Sequence, residues 1–402
     1  MTPPPAPDGE PDWTPRGSRG YRRIVLALFL SGYATFSLLY CVQPLLPVFS
    51  EAFRIGPARS ALALSLTTGL LAPAILLASA ASDAVGRRGL MAASLFAAAA
   101  ACLLSAFAPT WPSFLATRAL GGLLLGGAPA LAMTFLAEEI HPHDLGRAMG
   151  LYVSGTAMGG MAGRVLTGVA ADLFGWRAAL VVVGALGLCS AIGFLWLLPR
   201  SRNFRRRDNM ALGEHLRLWG AHLRAPELQP LFVYGAMLMG GFVTLYNYAG
   251  YRLAAPPYDL SQTVLGALFT LYLLGSVSSA AAGHLAVRFG RRPLLLGSLM
   301  LAAAGIVLSL ARPLPVLMAG IALFTVAFFA GHAVASASVG RLARGAKGHA
   351  SALYLLHYYL GSSILGVLGG SVWHHAGWGG LVGFIVLMLA LAAAGLPRVP
   401  AG

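Results

Sequence analysis

The sequence predicts an all-α membrane protein with twelve transmembrane helices arranged in two pseudo-symmetric six-helix bundles. Three observations lead to this prediction. The chain of 402 residues is 57% hydrophobic and only 10% charged, whereas soluble globular chains carry about 25% charged residues. Its charges cluster between long apolar runs. Two stretches of the first half recur in the second half about 200 residues later.

Each apolar run has roughly 18–25 residues, the length that an α-helix needs to cross the hydrocarbon core of a bilayer. A soluble protein would have to cover every run with very few charges, so that class is excluded. The strands of an outer-membrane barrel would alternate polar and apolar residues, and these runs do not. The twelve predicted spans, numbered in chain order, are 24–47, 61–81, 90–108, 112–137, 147–171, 178–198, 230–252, 262–286, 294–311, 314–338, 349–373 and 379–397.

The net charge of +15 follows the predicted topology rather than a nucleic-acid site. Cytoplasmic segments of membrane proteins are enriched in Lys and Arg. If the N-terminus lies inside, 21 of the 28 Lys and Arg residues fall in inside segments and five in outside segments, while Arg118 and Arg164 fall within spans. This bias predicts a multi-pass protein of the bacterial inner membrane, with both termini in the cytoplasm and contacts to anionic lipid.

Composition divides the chain into four segments. Residues 1–20 are rich in Pro and polar residues, which predicts a disordered cytosolic tail. Residues 21–199 form the predicted N-terminal bundle and residues 229–398 the C-terminal bundle. The charged linker at 200–228 separates them. Its stretch "MALGEHLRLWGAHLR", 210–224, is typical of an amphipathic helix on the inner membrane surface.

Two pairs of segments reveal an internal repeat. "SAASDAVGRR" at 79–88 and "GHLAVRFGRR" at 283–292 both end in Gly-Arg-Arg. Residues 146–176 and 348–378 align without gaps at an offset of 202, and the alignment pairs Tyr152 with Tyr354. Helical composition alone would not place such residues in register. A parallel repeat of this kind is an architecture of transporters, with the binding site between the halves.

The charged turns resemble a signature of the major facilitator superfamily, and the resemblance covers residues 20–398. The signature after the second span is G-x-L-A-D-R-x-G-R-K. The first copy keeps the acid as Asp83 and has Ala84 in place of the Arg. The second copy keeps the basic residue as Arg288 and has Val287 in place of the Asp. The resemblance implies the major facilitator fold.

Further motifs resemble the drug:proton antiporter branch of this superfamily, and within it the YnfM-like efflux carriers. Arg118 begins an R-x-x-x-G element in span 4. Span 5 carries "GTAMGGMAG", in which Thr156 replaces the proline of the antiporter motif. The "QPLLP" that ends span 1 and the "YNY" of span 7 add to the likeness. The resemblance implies secondary active transport, and the chain has no Walker motif for direct use of ATP.

The charged turns either only set the orientation of the chain in the membrane or also form a gate on the cytosolic side. Asp83 would face the N-terminus of span 11, where the partial positive charge favours a carboxylate. Arg288 and Arg291 would meet Glu138, Glu139 or Asp144, and these contacts would break as the halves rock. The glycines of span 5 would let span 8 approach closely. The predicted gating residues are Asp83, Gly86, Arg87, Arg88, Arg288, Gly290, Arg291, Arg292, Gly155, Gly159 and Arg164.

Binding pockets for small molecules are mostly apolar and contain a few hydrogen-bonding groups that orient the ligand. Side chains with polar tips deep within the spans suit such a pocket. The predicted substrate-binding residues are Tyr40, Gln43, Arg118, Tyr246, Asn247 and Tyr358. A buried Arg is costly in a membrane, so Arg164 would face the bundle interior, bond to carbonyls or extend to the outer surface. We expect Arg118 to bind an anionic substrate or tune a proton acceptor.

No Asp or Glu falls in the middle of a predicted span. A coupled proton would therefore need another carrier. His332 in span 10 and His357 in span 11 are candidates, because imidazole titrates near neutral pH. Asp83 is the third candidate.

The resulting prediction is a proton-coupled efflux transporter for small amphipathic or drug-like molecules that works by alternating access. The alternatives are a sugar or metabolite exporter, or a uniporter without proton coupling. A membrane-embedded enzyme would need a motif such as HExxH or GxSxG, which the sequence lacks. We expect a monomer without cofactor or metal, whose partners are the substrate, protons and the bilayer and not nucleic acid.

Overall fold

A computed structural model of the protein describes residues 13–203 and 212–400, with side chains for residues 13–78, 86–203 and 213–400. Almost all of this described chain is helical, as the apolar runs predict. The helices are α1 (Arg19–Tyr40), α2 (Leu46–Ala52), α3 (Pro57–Val85), α4 (Arg87–Ala106), α5 (Trp111–Leu125), α6 (Gly127–Glu139), α7 (Pro142–Leu197), α8 (Leu212–Arg224), α9 (Gln229–Ala254), α10 (Gln262–Ala267), α11 (Tyr272–Phe289), α12 (Arg291–Leu308), α13 (Leu314–Leu342) and α14 (Lys347–Gly395).

Ten helical stretches of the described ranges are long and apolar enough to cross a bilayer. Two of them, α7 with 56 residues and α14 with 49, are too long for one crossing, because 20 residues already span about 30 Å. Each contains one glycine with non-helical backbone angles, Gly175 (φ 80°, ψ 166°) and Gly377 (φ 56°, ψ −154°). Division at these glycines gives twelve segments, with the junctions between predicted spans 5 and 6 and spans 11 and 12.

The two halves repeat the same helix packing. In the first half α1 packs along α7, and in the second half α9 packs along α14. The contact glycines correspond at the offset of 202. A β-carbon on Gly159 would lie 2.1 Å from the carbonyl oxygen of Tyr33, and one on Gly361 would lie 2.2 Å from that of Ala236. The repeat in the sequence is therefore a repeat of close backbone contacts in the structure.

The helix ends form two faces. The terminal face carries the helix ends near Arg19, Gly86, Ile140, Leu198 and Lys347. The far face carries the helix ends near Phe53, Phe107, Gly175, Ala255 and Gly377. On the terminal face, Arg23 donates to Leu197 O and Trp196 O, which ties the start of α1 to the end of α7.

Part of the predicted disordered tail has defined structure. The backbone N–H of Thr14 donates to Glu139 O at 2.8 Å, and Trp13 packs edge-on against His141. Helix α1 then begins at Arg19, inside the predicted tail. The prediction of disorder for residues 1–20 therefore differs from the structure over 13–20, because these residues contact the end of α6. Residues 1–12 lie outside the described part.

The helix predicted in the linker is present as α8. His215 Nδ1 lies 2.9 Å from His349 Nε2, and Trp219 packs against both imidazole rings. These contacts fix α8 to the first turn of α14. The linker is therefore attached to the C-terminal bundle on the terminal face.

The duplicated Gly-Arg-Arg turns share one backbone conformation. Gly86 lies between α3 and α4 with φ 91° and ψ 140°, and Gly290 lies between α11 and α12 with φ 84° and ψ 161°. Side chains strongly disfavour these positive φ angles, whereas glycine adopts them readily. The repeated glycine is thus explained by the tight connection between two spans.

Replacement of Gly86 by alanine is expected to destabilise the protein by about 1–3 kcal/mol, because a β-carbon strains this backbone conformation. Thermal unfolding of the purified protein should show a lower midpoint for G86A. Gly89 in α4 is the matched control. A β-carbon there meets nothing within 4 Å, so G89A should unfold at or above the wild-type midpoint. An equal loss in both variants would contradict the explanation.

Candidate functional site

The two bundles touch along the far half of their interface. Ser50 Oγ and Tyr251 OH lie 2.7 Å apart, and Tyr251 OH donates to Leu46 O at 2.8 Å. A β-carbon on Gly370 would lie 2.4 Å from the Cα of Ala58, so the backbones of α14 and α3 are in direct contact. The interface is closed to the far face at these positions.

Asp172 adds a contact that the sequence analysis did not anticipate. Its Oδ1 accepts from the backbone N–H of Gln262 at 3.0 Å, and its Oδ2 accepts from that of Thr263 at 2.6 Å. A carboxylate of the N-terminal bundle thus caps α10 of the C-terminal bundle. Free N–H groups at a helix start favour a carboxylate.

We expect Asp172→Ala to loosen the far side of the interface, because the backbone N–H groups of Gln262 and Thr263 lose the carboxylate oxygens that accept their hydrogen bonds. Spin labels at Glu51 and Ala255, which are exposed on the far face in opposite bundles, would report the distance between the bundles. Cys189, an exposed thiol, is first replaced by serine. D172A should add a population at longer distance, and an unchanged distribution would show that the cap is dispensable.

The bundles separate toward the terminal face. Gly146 and Gly150 in α7, Gly283 in α11 and Gly348 in α14 have open space where a β-carbon would lie. Val287, near the end of α11, is 78% exposed. Direct hydrogen bonds between the two bundles, within the described side chains, extend from the far face only as deep as Thr68 and Ser363, whose hydroxyl oxygens are 2.7 Å apart.

Arg164 and Gln43 form the polar centre of the interface. Arg164 Nε donates to Gln43 Oε1 at 2.8 Å, and its Nη1 donates to Gly160 O at 2.6 Å. Gln43 Nε2 donates across the interface to Asn247 Oδ1 at 2.8 Å. Asn247 is fully buried, and its Nδ2 has no partner in the described part of the chain. A chain of hydrogen bonds therefore connects the two bundles through Gln43.

Aromatic rings surround the guanidinium of Arg164. Its Cζ lies 4.2 Å from the ring centroid of Tyr40, 4.6 Å from that of Phe269 and 5.0 Å from that of Tyr272. Cation–π contacts stabilise a cation that has lost its water. Of the three alternatives for Arg164, the structure supports a position in the bundle interior with one hydrogen bond to a carbonyl, that of Gly160. The side chain does not extend to the outer surface, because it is only 2% exposed.

Arg118 is bonded to backbone. Its Nη2 donates to Leu39 O at 2.9 Å and its Nε to Ala63 O at 3.3 Å. Both terminal nitrogens also approach Leu38 O at 3.3 Å. These bonds join α5 to α1 and α3 and satisfy carbonyls at the end of α1. The contacts support a structural role, and substrate binding by Arg118 stays a prediction.

The predicted aromatic residues divide between two places in the C-terminal bundle. Tyr246 OH lies 2.7 Å from Thr325 Oγ1, close to the ring of Tyr272. Tyr358 packs on His332 with 4.7 Å between ring centroids. His332 Nδ1 lies 2.9 Å from Tyr354 OH. His332 therefore has a hydrogen-bonding partner that the sequence analysis did not name.

Of the other two predicted proton carriers, His357 and Asp83, only His357 has a described side chain. His357 Nδ1 is 2.8 Å from Leu353 O of its own helix, and the ring stacks on Phe232. The side chain of Asp83 lies outside the described residues. Proton transfer by His332, His357 and Asp83 stays a prediction.

The acidic residues at the terminal face have other partners than those expected. Glu138 pairs with Arg87 within the N-terminal bundle. Asp144 lies 3.9 Å from Arg16. Glu139 accepts from the backbone N–H of Arg202 at 2.9 Å. The expected pairs with Arg288 and Arg291 are not formed because the bundles are separated on this face.

The remaining basic residues of the turns also differ in their surroundings. Arg88 donates to Leu198 O and Leu195 O, which joins α4 to the end of α7. Arg288 lies over the ring of Phe289 at 5.2 Å. Arg291 and Arg292, after Gly290, are half-buried, and Nη1 of Arg291 has no hydrogen-bond partner within the described chain. Gating by these residues stays a prediction.

The expectation that the glycines of span 5 face span 8 is wrong for Gly155 and Gly159. A β-carbon on Gly155 would lie 2.4 Å from Phe29 O, so these glycines contact α1 of the same bundle. The glycine that meets span 8 is Gly168, whose β-carbon would lie 2.4 Å from Gln262 O. The glycine motif therefore predicts a helix face of small residues, but it does not predict which helix packs against that face.

A cavity of about 200 Å³ lies between α7 and α11, on the terminal side of Arg164. Apolar side chains form most of its wall, and two serines contribute hydroxyl groups. Its lining residues are Ser154, Ala157, Met158, Met161, Tyr272, Leu273 and Ser276. Sequence reasoning missed Phe269 and Tyr272. Their spacing of three residues, which places them on one helical face, was the available signal.

Two helical bundles that enclose a buried polar centre and separate toward one face define a membrane transporter. The chain belongs to the Major Facilitator Superfamily, whose family model matches residues 24–256 and 237–401. The predicted family is thus confirmed.

Relatives and solved structures agree with this assignment. The chain is 47% identical over 379 residues to the inner membrane transport protein YnfM of Escherichia coli (strain K12), covering 94% of this chain and 90% of the relative. It is 40% identical over 377 residues to the uncharacterized MFS-type transporter YybF of Bacillus subtilis (strain 168), covering 94% and 93%. A solved structure of the nucleoside transporter NupG shares the fold at a TM-score of 0.76 and 15% identity, covering 92% and 99%.

Proposed function

We propose that the protein exports small amphipathic molecules across the bacterial inner membrane, in exchange for protons, by alternating access. The observation that carries the proposal is the unequal closure of the interface. The far half is closed by Tyr251, Asp172 and the contact of Gly370 with Ala58. Between the contact of Thr68 with Ser363 and the terminal face, the described side chains form no hydrogen bond between the bundles. Such a state is one of the two that alternating access requires.

The terminal face is assigned to the cytoplasm, with both termini there. The enrichment of Lys and Arg in the segments of this face supports that orientation. The printed name of the Escherichia coli relative, an inner membrane transport protein, supports the location. In this orientation the open side of the interface faces the cytoplasm, where an exporter takes up its substrate.

An apolar cavity with few polar groups supports an amphipathic substrate. Met158, Met161 and Leu273 offer apolar surface to the cavity, and Tyr272 offers a polar hydroxyl. The guanidinium of Arg164 lies behind Tyr272, with its Cζ 5.0 Å from the centroid of that ring. His332 is the proposed proton carrier, because it lies between Tyr354 and Tyr358 in the C-terminal bundle. The protein acts as a monomer.

A uniporter is the second candidate. It is favoured by the lack of any Asp or Glu in the middle of a span, since membrane carboxylates commonly carry protons in transporters.

Everted membrane vesicles test both candidates. Vesicles with and without the protein receive a panel of radiolabelled anionic, cationic and neutral amphipathic compounds and a sugar. A proton-coupled exporter accumulates at least one amphipathic compound, and a protonophore abolishes the accumulation. A uniporter only equilibrates the compound. Accumulation that persists without the proton gradient and requires ATP would overturn the proposed mechanism.

A further inference from the structure

We propose that the substrate is a small organic acid whose anionic group binds Arg164 beside Tyr272, a residue that lines the cavity between α7 and α11. This inference deepens the proposed function and rests on it. It begins from a buried positive charge without a counter-charge. Arg164 is 2% exposed, and a guanidinium stays protonated in proteins.

The chain has no carboxylate to offer Arg164. The sequence contains no Asp or Glu after Asp259 and none in spans 1, 4, 5 and 7. Asp172, the nearest acid along α7, is eight residues away at the far face and binds two N–H groups of the other bundle. No ion pair of Arg164 occurs among the described side chains. A buried charge without partner is costly, so an anion from outside would bind favourably.

Hydrogen-bond donors are available at the guanidinium of Arg164 and next to it. Arg164 uses Nε and one N–H of Nη1 for Gln43 and Gly160, and its Nη2 has no hydrogen bond within the described chain. Tyr272 is 8% exposed, its OH has no partner there, and its ring lies 5.0 Å from the guanidinium. A planar carboxylate accepts hydrogen bonds from such a fork of N–H groups.

The cavity gives the anionic group access to Arg164, and its walls favour a substrate whose remaining part is apolar. Met161 is one helical turn from Arg164 on α7, and Tyr272 contacts both the guanidinium and the cavity. Beyond them Ala157, Met158 and Leu273 present apolar surface. A molecule with an acid at one end and a small apolar body fits this order of groups. The neutral amide of the same molecule fits the walls equally well, but it lacks the charge.

Matched pairs of acid and amide test the inference by binding. The full chain is purified in dodecyl maltoside, a detergent without charge, at pH 7.5 and constant ionic strength. Its thermal unfolding midpoint is titrated with phenylacetate and phenylacetamide, cinnamate and cinnamamide, and hexanoate and hexanamide. We expect at least one acid to bind wild-type protein about tenfold or more tightly than its amide, a difference typical of one charge-assisted contact. Equal binding of acids and amides, or no binding by any acid, would overturn the inference.

Variants assign the preference to Arg164. R164Q should abolish the difference between acid and amide, and R164K should keep part of it. R177Q is the control, because Arg177 is a cation of the same helix that bonds to Ala106 O and Ala108 O away from the cavity. It should keep the full preference. If R164Q does not fold, A157F decides, since it fills the cavity and leaves the guanidinium. Acid preference retained in R164Q or A157F contradicts the site.

Transport of the same pairs in everted vesicles separates this inference from the proposed function. An acid that binds through Arg164 but is not transported would refute the exporter and leave the site intact. Amides exported as well as their acids would refute the anion site and leave the exporter intact.

Discussion

Gly159→Val is expected to prevent stable folding of the N-terminal bundle. A β-carbon at this position would lie 2.1 Å from Tyr33 O and 2.6 Å from its Cα. These are backbone atoms that cannot rotate away, so α1 and α7 would have to move apart. Overpacking of a close contact typically costs about 1–3 kcal/mol, and a backbone clash lies at the upper end. Size-exclusion chromatography and thermal unfolding of the solubilised protein measure the loss.

The same helix provides the control for this prediction. Gly150 lies earlier on α7, toward the terminal face, and a β-carbon there meets nothing within 4 Å. G150V should therefore elute and unfold like the wild type. G361V, at the repeat-related position, should resemble G159V because its β-carbon would lie 2.2 Å from Ala236 O. A stable G159V protein would show that α1 and α7 do not pack as closely as described.

Gln43→Leu is expected to abolish most transport. The substitution removes the side-chain acceptor of Arg164 and the donor to Asn247 Oδ1 in a single step. A buried charged group that loses a hydrogen bond costs about 1–3 kcal/mol or more. Because about 1.4 kcal/mol corresponds to a factor of ten, we expect transport in vesicles to fall at least about tenfold.

A double-mutant cycle of Q43L and N247L measures the bond between the bundles directly. The two side chains are in contact, so their effects on the unfolding midpoint should not add. N247L also removes the unpartnered Nδ2, and it should therefore destabilise less than Q43L. S65A, beside the same interface, serves as the control with no bond to Gln43 among the described contacts. Strictly additive effects of Q43L and N247L would show that the bond does not form.

Much of the fold could be predicted from the sequence because its signals are local or repeated. The length and apolarity of the runs define the spans, and the in-register pairs define two equivalent halves. Gly86 and Gly290 stand at equivalent positions of the repeated Gly-Arg-Arg turns, and the structure gives both of them positive φ angles. Each of these features can be recognised in short stretches of the sequence or by aligning one half with the other.

The packing partners could not be predicted, because they depend on which helices meet. Nothing near Gly155 in the sequence indicates that it faces Phe29 rather than span 8. The rings of Phe269 and Tyr272 belong to the other half of the chain from Arg164. The partner of Glu138 was also missed. Glu138 pairs with Arg87, which is 9% exposed, because α4 packs against α6, and the sequence does not show that packing.

The glycine junctions at Gly175 and Gly377 affect how the protein moves. Each joins two crossings by a single non-helical residue instead of a flexible loop. Spans 5 and 6, and likewise spans 11 and 12, therefore cannot slide independently at their shared end. We therefore expect each such pair to move as one unit, so that a displacement of span 5 or span 11 also displaces the span that follows it.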